Sequence, residues 1–326
     1  PELGDEFEQM KFSYEHLRPL IKRKYCKGDY TKMASFILSA FADEASPTIE
    51  GQIAALQRNL ISLIEPRSVN GRNILDFSEA ELADIKAKFD AAGIRVGSLG
   101  SPIGKYPAEK PFDVHLAAFL RALRACQILG TDRMRIFGFY AERERRAALR
   151  EEILRRLRVF LREAKAAGIT LCLENEADVY GERPEEMRDL LTSLPDLYGI
   201  YDPANYIRTG EDVKAGLEAT LQRFGYMHVK DACYADGAIV PAAMGDGDID
   251  GVLSSIDRYT DDVVMLTVEP HLHVFDAYTS IDRKELKSGM TFLSGDAAFD
   301  VAVSALKDAL KNGLIYREGE DYIWRR

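Results

Sequence analysis

From Met33 onward one unit keeps returning: a short apolar run with polar ends, followed by a longer segment whose apolar residues fall at helical spacing. The unit recurs eight times. The runs, predicted as strands, are Ser35 to Phe41, Ile61 to Glu65, Ile94 to Leu99, Met134 to Phe137, Ile169 to Glu174, Leu197 to Asp202, Gly225 to Lys230 and Val263 to Glu269. Predicted helices follow them at Ile49 to Leu60, Ser78 to Ala92, Phe112 to Leu129, Glu144 to Ala167, Pro184 to Ser193, Glu211 to Arg223, near Gly251 to Asp257, and at Ala297 to Lys311. Ser46-Pro47 and Ser78 supply start signals, and Gly93, Gly130 and Gly168 stop helices just before a strand. Strands that alternate with helices pair in parallel, and eight such units predict an α/β chain closed as a (β/α)8 TIM barrel. An open dinucleotide-binding sheet fits less well, because no Gly-x-Gly-x-x-Gly follows the first run.

Residues 1–32 do not share this rhythm. They are rich in charge and aromatics, carry Lys22-Arg23-Lys24 and show no clear period, so they are expected to be an N-terminal extension on a single barrel domain spanning 33–326.

In such a barrel the strand C-termini form the active face. Four consecutive runs end in groups that are costly to bury alone: Glu174, Asp202, His228 and Glu269. The last inward residue of each strand points at the barrel axis, so these four are expected to share one volume. Repulsion among three carboxylates calls for a cation, and a set of three carboxylates and one imidazole suits a hard divalent ion. Mn²⁺ is favoured, with Mg²⁺, Co²⁺ or Zn²⁺ as alternatives. Lys230 lies two residues past His228 on the same face and is a candidate to bind a substrate oxygen or to neutralise the carboxylates. Glu65 and Arg67, Lys105 in the Ser101-Pro102-Ile103-Gly104-Lys105 loop, and Arg135 are candidate pocket residues. His271 and His273 follow Glu269 at a spacing that suggests a second metal, but Pro270 breaks the strand there, so a second metal is not the favoured reading, and His271 is carried as a substrate-binding candidate. Glu176, beyond the strand end, is assigned to a loop. Gly245 to Asp250 lacks the ligand pattern of a calcium loop and reads as a flexible loop over the site.

Composition narrows the partners. A net charge of -10 gives no electrostatic drive toward nucleic acid or anionic membranes. No apolar run approaches a membrane span and no signal-peptide core opens the chain, so a cytoplasmic protein is expected. Cys26, Cys126, Cys172 and Cys233 have neither metal-binding spacing nor the density of a disulfide framework. Oligomeric state is left open, with a homo-oligomer compatible.

Leu173-Glu174-Asn175, Asp202-Pro203-Ala204-Asn205, His228-Val229-Lys230-Asp231, Gly245-Asp246-Gly247-Asp248-Ile249 and Val268-Glu269-Pro270-His271 together resemble the motifs of the xylose-isomerase-like TIM barrels of the sugar phosphate isomerase/epimerase family. The resemblance implies a divalent metal held by Glu174, Asp202, His228 and Glu269, with Glu174 and Glu269 as the acid/base pair. It implies a small sugar or sugar phosphate as substrate. The expected reaction is isomerisation or epimerisation through a metal-stabilised enediolate. Lyase, dehydratase or deglycosidase chemistry on an oxo-sugar or inositol-like ring starts from the same proton removal and is the alternative. Asn205 stands where ketose 3-epimerases of this superfamily resemble one another in having a substrate-contacting histidine, and Tyr234 about where they have an arginine. Asn205 is nevertheless carried as a substrate-binding candidate. An endonuclease IV type nuclease shares the barrel but needs many histidines, and only His16, His115, His228, His271 and His273 occur.

Overall fold

The computed structural model describes residues 33–273, 287–311, 313, 316–319 and 321–326. The extension expected over residues 1–32 lies outside them. Eight parallel strands line the barrel: β1 (Ser35–Ala40), β2 (Leu63–Ile64), β3 (Arg95–Val96), β4 (Arg133–Ile136), β5 (Thr170–Glu174), β6 (Tyr198–Tyr201), β7 (Phe224–Val229) and β8 (Val263–Val268). Strands β4 to β8 pair in sequence order and β8 pairs with β1. The circle closes through Glu65 N–H to Ala40 C=O at 3.1 Å, the β2–β3 ladder, and Arg135 N–H to Leu99 C=O at 3.0 Å.

The described helices follow the expected pattern, with ends set by local chemistry. They are α1 (Ile49–Arg58), α2 (Glu79–Ala91), α3 (Phe112–Leu129), α4 (Arg146–Ala167), α5 (Pro184–Ser193), α6 (Pro203–Thr209), α7 (Val213–Leu221), α8 (Ile249–Tyr259) and α9 (Gly295–Ala309). Ser78 caps α2 in a reciprocal capping box with Glu81. Gly130 and Gly168 end α3 and α4 in the left-handed conformation that a glycine adopts without strain.

Two features were not anticipated. Asp202-Pro203 starts a helix, α6, where a turn was expected: the Asp202 carboxylate accepts from Asn205 N–H at 3.1 Å and Pro203 occupies the first helical position. Beyond α9, β9 (Tyr316–Glu318) and β10 (Asp321–Trp324) form an antiparallel hairpin. Strand β10 pairs with the base of β1, Phe36 opposite Trp324 and Ile37 opposite Ile323. This hairpin wedges between β1 and β2 at the bottom of the barrel, where Asp321 accepts from Ser62 Oγ at 2.8 Å and pairs with Arg95. β2 and β3, expected to run five or six residues, are two residues long each.

The core has two parts. Ile37, Leu63, Cys172, Ile200, Tyr226, Met265 and Ile323 fill the barrel interior, and a larger cluster lies between strands and helices. Ile323 of the hairpin thus plugs the base of the interior, while the top is left to polar side chains.

One rim loop depends on a histidine in the outer layer. Gly104 (φ +98°) lies so close to strand β4 that a Cβ there would meet Phe137 C=O at 2.0 Å, and its N–H donates to His115 Nε2 at 2.9 Å. Burial first, and then Arg156, push His115 down to about 4, so the ring is neutral in the folded chain. The unfolded chain takes up this proton near its ordinary pKa of about 6.5. Stability is therefore expected to fall as pH drops from about 6.5 to 4, by roughly 3 kcal/mol, and to level off below. Urea denaturation of wild type and His115→Gln at pH 7, 5.5 and 4 checks this: the variant should lose less stability across the window, and parallel curves would refute the assignment.

Candidate metal centre

Each strand end delivers its side chain to the top of the barrel for a local reason. Asn175, just past β5, clasps the end of β6: its side chain donates to Asp202 C=O at 2.8 Å and accepts from Asp202 N–H at 2.9 Å. Asp202 spends Oδ1 on capping α6, which leaves Oδ2 beside Lys230 Nζ at 2.9 Å. His228 lies in register with Thr267 of β8, and Glu269 N–H donates to Val229 C=O at 3.2 Å.

The structure brings the four expected ligands together. Glu174, Asp202, His228 and Glu269 are all buried, and each offers one ligand atom within 4.8 Å of the others. His228 Nδ1 lies 3.1 Å from Glu174 Oε1 and 3.6 Å from Glu269 Oε2, yet it makes no hydrogen bond. A buried ring nitrogen without an aligned partner, facing two carboxylates, is what a metal ligand requires, so the donor set fits a divalent ion.

Three buried cations surround this set. Arg135 Nη1 donates to Glu174 Oε2 at 3.1 Å, and its guanidinium sits over the rings of Phe41 and Phe137. Arg67 donates to Glu269 Oε1 at 3.1 Å, to both oxygens of Asp43 at 3.0 Å and to Glu44 Oε1 at 3.0 Å. Lys230 bridges Asp202 and Glu269, at 2.9 and 3.0 Å.

The charges respond accordingly. Burial pushes the Glu174 carboxyl up, but His228 and Arg135 outweigh it and hold the group at about 2. Glu269 is kept well below the ordinary range against the same penalty by Lys230, His271, His228 and Arg67. For Asp202 burial prevails over Lys230, and the carboxyl rises to about 7. Burial would lower His228, but Glu174 and Glu65 raise it to about 10, so ligation of a metal would displace a proton from Nδ1.

The substrate-binding candidates divide. Arg67, Arg135 and Lys230 each touch a carboxylate of the metal set. Asn205 also does so: its amide donates to Glu174 Oε1 at 3.2 Å and to Asn175 C=O at 2.9 Å, which makes it a group that orients Glu174. Glu65 is fully buried beneath His228, with Nε2 at 3.3 Å. Lys105 lies at the rim, paired with Glu176 at 2.9 Å, so Glu176 is a loop residue as expected. His271, at φ +45°, donates its backbone N–H to Glu44 Oε2 at 2.6 Å and has its ring 3.7 Å from Glu269 Oε1. Glu44, Glu269 and His271 also cluster within 4.8 Å, but the Arg67 guanidinium already bonds Glu44 and Glu269, and it supplies the positive charge that a second metal would bring. Tyr234 is exposed at the rim.

The Gly245 to Asp250 loop is fastened rather than loose. Asp231 accepts from Ala232, Gly245 and Gly247 N–H at 2.8, 3.0 and 2.9 Å, and a Cβ on either glycine would meet Asp231 Oδ1 at 2.6 Å. Sequence reading missed Asp43 and Glu44 as site residues. The signal was available, since Asp43-Glu44 closes the first strand as Glu174 closes the fifth.

The model of the xylose isomerase-like TIM barrel family matches residues 61–294, and the chain belongs to that family. Among solved structures, it is similar to the IolI protein with a bound zinc atom (15% identity, TM-score 0.65, covering 85% of this chain and 98% of that one). It is also similar to D-psicose 3-epimerase in the presence of D-fructose (16%, 0.62, 84% and 98%). The probable 3-DHS dehydratase AsbF from Bacillus anthracis shares the fold as well (12%, 0.60, 84% and 99%). At these identities the likeness concerns the fold. No curated protein matches the chain. No helix among the described residues is long and apolar enough to cross a membrane.

Proposed function

We propose that this protein is a divalent-metal-dependent isomerase or epimerase of a small sugar or sugar phosphate, with Glu174 and Glu269 as the proton-moving pair. Cytoplasmic placement and Mn²⁺ as the metal belong to the same reading. The observation that carries it is a symmetry in how the two glutamates are held. Each gives one oxygen to the shared volume, Glu174 Oε1 and Glu269 Oε2 on either side of His228 Nδ1. Each has its other oxygen fixed by a buried arginine, Arg135 for Glu174 and Arg67 for Glu269.

Glu174, Asp202, His228 and Glu269 would hold the ion, which when bound polarises a substrate carbonyl and acidifies the carbon beside it. His228 and Arg135 keep Glu174 ionised, Lys230, His271, His228 and Arg67 do the same for Glu269, and the guanidinium clamps orient both carboxylates, so either serves as the base. One glutamate that takes a proton and returns it to the neighbouring carbon, while a hydroxyl proton passes from the second oxygen to the first, isomerises; when one glutamate takes the proton and the other, having first picked one up from solvent, delivers it to the opposite face of the same carbon, the substrate is epimerised. Lys230 is placed to steady Glu269 and to hydrogen-bond a substrate oxygen.

The test is product analysis in D₂O. Protein stripped of metal and reloaded with Mn²⁺ is offered a panel of ketoses, aldoses and their phosphates. The expected product has the substrate's composition and carries solvent deuterium at the reacting carbon. Release of water or of an aglycone would overturn the isomerase reading in favour of a dehydratase or lyase.

A further inference from the structure

Glu65 has no place in the proton chemistry just described, although its carboxylate lies in the middle of the barrel. It closes strand β2 and is 0% exposed. Three groups from two other strands converge on it. Tyr226 of β7 donates its hydroxyl to Oε1 at 2.8 Å, and Thr267 of β8 donates to Oε2 at 3.0 Å. His228 presents Nε2 to the same Oε2 at 3.3 Å. Tyr226, whose hydroxyl hydrogen goes to Glu65, in turn accepts from Ser98 Oγ at 3.0 Å. Tyr226 and His228 are two residues apart on one strand and therefore share its inward face.

We infer that Glu65, backed by Tyr226, Thr267 and Ser98, is a positioning residue for the metal centre. Its carboxylate takes the Nε2 hydrogen of His228, sets the rotation of the ring and leaves Nδ1 as the coordinating atom. The chain of warrant is geometric. Of the two imidazole nitrogens, Nε2 faces an acceptor that is itself anchored by two hydroxyls, and Nδ1 is the one without an aligned partner. A ligating histidine whose second nitrogen is held by a carboxylate binds more firmly, because the ring pays no orientational entropy on ligation and its basicity rises. The arrangement also separates two kinds of buried glutamate in one barrel. Glu174 and Glu269 are clamped by arginines, whereas Glu65 is held by two hydroxyls and an imidazole. Glu65 is thereby reassigned from a candidate substrate contact to a group beneath the substrate.

The inference rests on the metal-centre reading, and the experiment separates the two. Mn²⁺ affinity of the full chain is measured by competition with a chelator for wild type, Glu65→Gln, Thr267→Val and Tyr226→Phe, with thermal midpoints as a folding control. The ¹⁵N shifts of His228 are recorded in parallel with a diamagnetic ion, Zn²⁺. Glu65→Gln is expected to weaken Mn²⁺ by about 10- to 100-fold. Thr267→Val and Tyr226→Phe should each give a smaller loss and remain folded. In the Zn²⁺-loaded wild type, Nδ1 should show the ligated shift and Nε2 the protonated one. Wild type that binds no divalent ion would sink the metal-centre reading itself. Wild type that binds tightly while all three variants bind equally well, or that ligates through Nε2, overturns only the role of Glu65.

Discussion

Replacing Glu174 or Glu269 by glutamine is expected to reduce kcat/KM at least about a thousandfold while leaving a folded barrel. Each substitution removes both a ligand oxygen and the only form of the side chain able to accept a proton. It also withdraws the partner of a buried guanidinium, Arg135 or Arg67, so thermal midpoints must be read alongside the kinetics. Cys172→Ala is the matched control. Cys172 sits two residues before Glu174 on β5, inside the apolar filling, and burial pushes its thiol up to about 12, so no thiolate is available at neutral pH. Turnover in that variant should be close to wild type. If both glutamine variants retained near-wild-type activity on the substrate found in D₂O, the acid/base assignment would fail.

The second large effect concerns stability. Arg67→Met should lower it by about 3–5 kcal/mol, because removal of one buried partner leaves the others uncompensated. Arg67 is 2% exposed, bonds Asp43 through two parallel contacts, reaches Glu44 and Glu269, and lies 4.4 Å above the Phe41 ring. For a chain of this size the change corresponds to a drop of roughly 6 °C in the thermal midpoint. The loss should be insensitive to salt, since the pair is shielded from counterions. Adding Asp43→Asn to Arg67→Met should recover part of it, and the double-mutant cycle would show a coupling that exposed pairs such as Arg72 with Glu81 do not. Simple additivity of the two changes would contradict the network.

Much of the fold could be read from hydrophobic periodicity and glycine stops, because both act within a dozen residues. Helix α5 begins and ends at the expected residues, and the four candidate ligands converge because strand ends in a parallel barrel all point to one face. What escaped depends on contacts between distant parts of the chain. The Arg67 pairs link it to Asp43, Glu44 and Glu269, and nothing in the local sequence indicates which carboxylate a loop arginine will meet. The position of Asn205 after Asp202 makes it a substrate-binding candidate, but Asp-Pro-x-Asn is also a helix start, and the helix that begins there turns its amide toward Glu174. The hairpin of β9 and β10 is too short to announce itself by alternation.

That hairpin also orders events in time. Strand β10 lies farthest along the chain from β1, the strand it pairs with, so as the chain is synthesised the base of β1 waits with an open edge until residues 321–324 have emerged. Closing so long a loop adds little to the equilibrium cost, which grows only with the logarithm of its length, but contacts this remote form late. Until then the edge is a surface on which another chain can pair. Damage to this hairpin would therefore be felt first as aggregation of newly made chains, with the geometry of the candidate metal centre untouched in those that finish.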